Sequence, residues 1–175
     1  MPIVQQFLRI FLDIVLWRRG PQDLPASPLL VWLTLVAYLA VSALQLLLLG
    51  ESGFAWFLFL AVDPLLLTGS VWLLLRLYGR TERFQQTAAA VLGTGALLGL
   101  VLYLPLQMLL GALGLAPSSG VAQLVALVLL VVFVLVTGRI LQLATDSSLF
   151  TGIAVALTYF ILINALVGMA HGPGS

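Results

Sequence analysis

Apolar positions along this chain fall into two patterns. The first is periodic. In residues 2–19, PIVQQFLRIFLDIVLWRR, the polar residues Gln5, Gln6, Arg9 and Asp13 recur at helical spacing, with Phe7, Leu8, Phe11, Ile14 and Val15 on the other side. That period predicts an amphipathic helix lying in the membrane interface or packed on one end of a helix bundle. Arg9 and Asp13, four apart, are spaced to pair on its surface. The second pattern has no period. Five almost unbroken apolar runs cover residues 29–49, 54–77, 88–110, 121–140 and 149–170. A helix needs about 20 apolar residues to cross the hydrocarbon core, and each run is of that order.

Between the two patterns lies GPQDLPASP, residues 20–28, with three prolines and a glycine in nine positions. This predicts an extended linker, with Ser27-Pro28 as the cap and first turn of the next helix. The later connections, GESG, YGRTERFQQT, GALGLAPSSG and LQLATDSS, are short. Sequential helices should therefore be antiparallel neighbours. The expected fold is all-α: a polytopic integral membrane bundle of five transmembrane helices preceded by an N-terminal amphipathic interfacial helix, in one domain over residues 1–175.

Composition agrees. The chain is 62% hydrophobic and 7% charged, with a mean hydropathy of +1.21. Soluble domains carry roughly 25% charged residues, so a surface this poor in charge is one that faces lipid. All seven basic residues are Arg, which we read as the codon usage of a GC-rich, bacterial genome. Arg9, Arg18, Arg19, Arg76, Arg80, Arg83 and Arg139 all fall at one end of a five-span bundle, and the opposite connections carry only Glu51. The positive-inside rule then predicts a bacterial inner membrane protein with a cytoplasmic N-terminus and a periplasmic C-terminus. Arg18-Arg19 follow the apolar part of the first helix, the reverse of the charge order of a cleavable signal peptide.

Several chemistries are disfavoured. With no Cys and one His, His171, there is no thiol chemistry and no multi-His metal site, and no metal or cofactor is expected. No Lys/Arg stripe points to nucleic acid. The tail HGPGS resembles a linker scar. No catalytic constellation is visible, so no enzymatic activity is expected.

The sharpest local feature is Asp63-Pro64, set inside the second apolar run. Asp before Pro is a common way to start a helix, since Asp accepts from free N–H groups and Pro fits the first helical position. The run would then be two pieces, with Asp63 capping the second. The competing reading is a proton, cation or ligand site near mid-membrane, where a carboxylate costs about 2.5–3.5 kcal/mol to place. Asn164, well inside the last run, is its expected partner. Gly95 and Gly99 form a GxxxG pair suited to close helix packing. Arg18, Arg19, Arg80 and Arg83 are candidates for lipid-phosphate or partner contact. The scattered polar residues Gln45, Thr68, Ser70, Gln107, Gln123, Thr137 and Thr158 read as interhelical hydrogen-bonding groups.

Five spans with this orientation, the RRGPQDLPASP linker, Asp63-Pro64 and the GRTERFQQT connection together resemble the Yip family of small membrane proteins, in its bacterial branch. The resemblance covers nearly the whole chain and implies a five-span membrane fold. Eukaryotic relatives bind small GTPases through a longer N-terminal region than the one here. The function expected is that of a non-enzymatic membrane protein acting through helix–helix or protein–protein association, as a homo-oligomer or with a membrane-protein partner in the lipid bilayer. The alternative is a small transporter or channel-like subunit using Asp63.

Overall fold

The computed structural model of the chain describes residues 2–48, 54–116 and 118–171. The HGPGS tail after His171, and the GESG connection with Glu51, lie outside the described residues. All regular structure described is helical. The helices are α1 (Pro2–Val15), α2 (Pro28–Leu48), α3 (Phe54–Leu77), α4 (Phe84–Leu98), α5 (Leu104–Ala112), α6 (Gly120–Thr145) and α7 (Leu149–His171). A π-helical segment, Gly99–Tyr103, joins α4 to α5 into one long run. Five helices are long and apolar enough to cross a membrane, the α4–α5 run counting as one. The molecule is a multi-pass membrane protein.

The bundle is arranged around α4. Every residue from Thr87 to Thr94 is buried, because Ala88, Ala89, Ala90 and Gly93 are small enough to let α1, α2, α3 and α6 all approach. α7 packs on α6 and α3 and completes the ring. The closest approach is between α6 and α7. A Cβ on Gly152 would run into the backbone carbonyl of Gly138, so neither position has room for a side chain.

The long run changes character after Gly99. Pro105 has no N–H to give the carbonyl four residues back, and its ring crowds that carbonyl. The wider π turn just before it relieves both, with Leu104 N–H bonding Gly99 O. Beyond this turn the run leaves the centre: α5 packs mainly against the π segment, and Met108 and Leu109 are exposed. The half of the bundle away from the Arg residues thus loses its central helix.

α1 docks on the bundle through Phe11 and Ile14, both buried. The Phe11 ring occupies the space that a Cβ on Gly93 would need. Leu8, Leu12 and Leu16 stay exposed along another face, available to lipid. Asp13 pairs with Arg19 at 3.3 Å rather than with Arg9. Trp17, at φ 62°, turns the chain back, and the N–H groups of Arg18 and Arg19 both donate to Asp13 O.

The linker is not extended. Pro21–Asp23 form a 3₁₀ turn, closed by Gly20 N–H on the Asp23 carboxylate at 2.9 Å. Pro21 and Leu24 are buried, and Gln86 Nε2 donates to Leu24 O at 2.7 Å. The prolines shape a compact strap that burial pulls onto α4 and α6. Two apolar runs also prove longer as helices than expected. The third spans Thr81–Ala112 and the fourth Gly120–Thr145, because polar residues at their ends continue the helix beyond the lipid-facing part.

Candidate functional site

Asp63 sits in an unbroken helix. α3 runs straight through Pro64, so the expected two-piece segment and the capping role are both corrected. A cap carboxylate accepts from backbone N–H groups; this one accepts from side chains. Tyr38 Oη, on α2, donates to Asp63 Oδ2 at 2.5 Å, and Tyr159 Oη, on α7, donates to Oδ1. Both oxygens are thus engaged by side chains of other helices. Three helices therefore meet at one buried acid, which is 2% exposed. Pro64 removes one N–H from the helix ladder, and Thr68 Oγ1, a turn later, donates to Pro64 O at 2.6 Å.

Sequence reasoning missed both tyrosines. A signal was available. Tyr prefers the membrane–water boundary, yet Tyr38 and Tyr159 each stand ten residues into helices that start at the same end of the bundle, at Pro28 and Leu149. Two mid-span tyrosines at equal depth, facing one mid-span acid, form a pattern that can be searched for.

Asp63, Tyr38 and Tyr159 border a cavity of about 860 Å³. It lies in the half of the bundle where α5 leaves the centre, between α2, α3, α4, α6, α7 and the π segment, with Gln107 of α5 at its edge. Gly95 and Gly99 lie in its lining, but they do not form an outward association face. A Cβ on Gly95 would come within 2.9 Å of the Tyr38 ring, and one on Gly99 within 2.7 Å of Gln45 Nε2. The glycine pair seats α2 against α4 and leaves Tyr38 room to reach Asp63.

The remaining candidates separate into two groups. Gln45, Gln107, Thr137 and Asn164 line the cavity. Asn164 is not the partner of Asp63: it is exposed, and its Nδ2 donates to Phe160 O, four residues back, at 2.7 Å. Thr158 does the same with Ala154 O at 2.8 Å. These groups solve the problem of a polar side chain in lipid by bonding their own helix rather than a neighbour. Gln123 Nε2 reaches only Ser118 O, at 3.4 Å.

At the other end, the Arg residues are largely used internally. Arg80 and Arg83 both contact the Asp146 carboxylate, at 3.0 and 3.1 Å. Arg83 also donates to the carbonyls of Leu143 and Ala144, the last turn of α6, where a cation suits the helix dipole. Asp146, in the left-handed conformation that ends α6, is the member of this cluster that sequence reasoning did not single out. Arg18 and Arg19 stay exposed beside the strap. Arg139 bonds Gln142 Oε1 at 2.7 Å and stacks over Trp17.

Among the described residues, no group of three or more His, Asp or Glu is placed to hold a metal ion. Chemically, the site offers one acid, three phenols and a roomy, mostly apolar cavity. Searches against family models, curated proteins and solved structures return no match to this chain.

Proposed function

We propose that this chain is a small transporter or channel-like membrane protein that takes a cationic ligand into the cavity around Asp63. One observation carries the reading: Asp63, an acid deep within a span, faces a ligand-sized chamber and is held there by Tyr38 and Tyr159. Cavities of roughly 300–1,000 Å³ are the usual size for small-molecule sites. Intramembrane acids that border such space commonly mark ion or substrate paths. The glycine pair lends no weight to the association reading, since Gly95 and Gly99 pack α2 within the chain. We further read the protein as Yip-like in topology, non-enzymatic, and set in a bacterial inner membrane with the Arg-rich end in the cytoplasm. The Arg distribution and the resemblance support that setting.

The test is cation uptake into proteoliposomes carrying purified wild type or Asp63→Asn. Uptake above empty vesicles, reduced at least about tenfold in Asp63→Asn as for the loss of a buried charge contact, is the expected result. Equal uptake by both proteins would remove Asp63 from the path. No uptake, together with a reproducible crosslinked partner in native membranes, would restore the association reading.

A further inference from the structure

The cavity wall is more specific than its volume. Six aromatic side chains line it: Tyr38, Phe59, Tyr103, Phe133, Tyr159 and Phe160. Three of the four tyrosines of the chain are among them. Phe160 meets Phe133 edge-on at 6.4 Å and Tyr159 at 5.3 Å between centroids. Phe59 precedes Asp63 by one helical turn on α3 and so shares its face. Among the described residues, the lining includes no Arg and no His. Among those residues the acid therefore has phenol donors but no counter-cation.

Resting on the reading of this cavity as the working site, we infer that it takes an organic cation with an apolar body, an alkyl- or arylammonium, with its charge against Asp63 and its body against the aromatic walls. Three observations select this class. No cation stands in the lining among the described residues, so a bound organic cation would have Asp63 as its counter-charge. Aromatic faces attract cations, and their apolar surface suits a hydrophobic ligand body. A bare metal ion fits poorly, because hard cations take about six or more oxygen ligands and no acidic cluster stands here among the described residues. A chamber of about 860 Å³ is also far larger than an ion requires.

The test uses two ions of the same shape and opposite charge, tetraphenylphosphonium and tetraphenylborate, binding to the full chain in nanodiscs. Wild type should bind the phosphonium saturably and the borate at least about tenfold more weakly, the scale of a close charge pair in a binding site. Asp63→Asn should abolish that preference. Gly69→Ala, on α3 but outside the lining and with open space for the added methyl, should preserve it. The wild-type comparison alone is decisive if Asp63→Asn does not fold: borate bound as tightly as phosphonium overturns the inference. Ala126→Trp, which fills the cavity from α6, separates the two levels. If it abolishes binding of both ions while charge makes no difference, the cavity is a binding site and the inferred charge class is wrong. If neither ion binds wild type saturably, the cavity reading and the inference fall together.

Discussion

At the scale of single residues, the central fact is that a carboxyl inside a membrane bundle is matched by donors rather than left to a helix terminus. Tyr159 is 7% exposed, whereas Tyr38 is only partly buried. Removing either hydroxyl leaves one oxygen of Asp63 short of a donor. An unsatisfied buried polar atom costs about 1–3 kcal/mol, more for charged groups. Tyr159→Phe and Tyr38→Phe should both lower stability in detergent unfolding. Unchanged unfolding midpoints in both variants would mean that the hydroxyls are not what satisfies Asp63. None of this triad was paired from sequence. Asp63 stood out because it is an acid in an apolar run. Its partners lie 25 and 96 residues away, and nothing local to Asp63 points to them. The adjacent Pro64 even favoured the wrong role, since Asp-Pro is a good helix start whenever the chain is free to break there.

At the scale of elements, glycine placement decides where helices touch. Gly138 and Gly152 set the α6–α7 crossing, and the atom that an added Cβ would meet is a backbone carbonyl, which has no rotamer to give. Gly152→Ala should therefore destabilise by roughly 1–3 kcal/mol, as overpacking does in tight cores. Gly69 and Gly111 have nothing within 4 Å of such a Cβ, so alanine there should be neutral or stabilising by up to about 1 kcal/mol through helix propensity. A thermal-shift series over these three variants checks the contrast. A uniform response would show that close approach is not what these glycines provide. The helices themselves were legible in the sequence: all five spans and the first amphipathic helix stand where hydropathy places them. Their ends were less so. α6 continues past Arg139 to Thr145, and the strap over residues 20–28 folds back because buried Pro21 and Leu24 outweigh the extended preference of proline.

At the scale of the whole molecule, charge is divided between two ends. The seven Arg share one end with Asp13, Asp23, Glu82 and Asp146, and short connections make Ser118 and Ser148 mark opposite ends. The chain has no Cys, so single cysteines report cleanly. In oriented membrane vesicles, Ser148→Cys should react with an impermeant thiol reagent from the cytoplasmic side only, and Ser118→Cys from the opposite side only. Labelling of both from one side would contradict an odd number of crossings between them. The ion pairs of Asp146 with Arg80 and Arg83 are half exposed at the carboxylate, so they contribute at most about 1 kcal/mol each and help set the loop more than the fold.

What the sequence determined by itself was whatever depends on local sums: which stretches are apolar enough for lipid, how long they are, and at which end the cations lie. Lipid responds to those sums, and backbone groups in hydrocarbon must bond within their own helix, so spans and their order follow from composition read in a window. What only the tertiary structure decided was which faces meet. The step of the α4–α5 run at Gly99–Tyr103 opens the cavity, Gly95 of α4 admits Tyr38, and the α6–α7 crossing brings α7, and with it Tyr159, against α3. Each of these depends on the approach of helices distant in the chain, where one methyl group more or less changes the packing, and a hydropathy window averages such differences away.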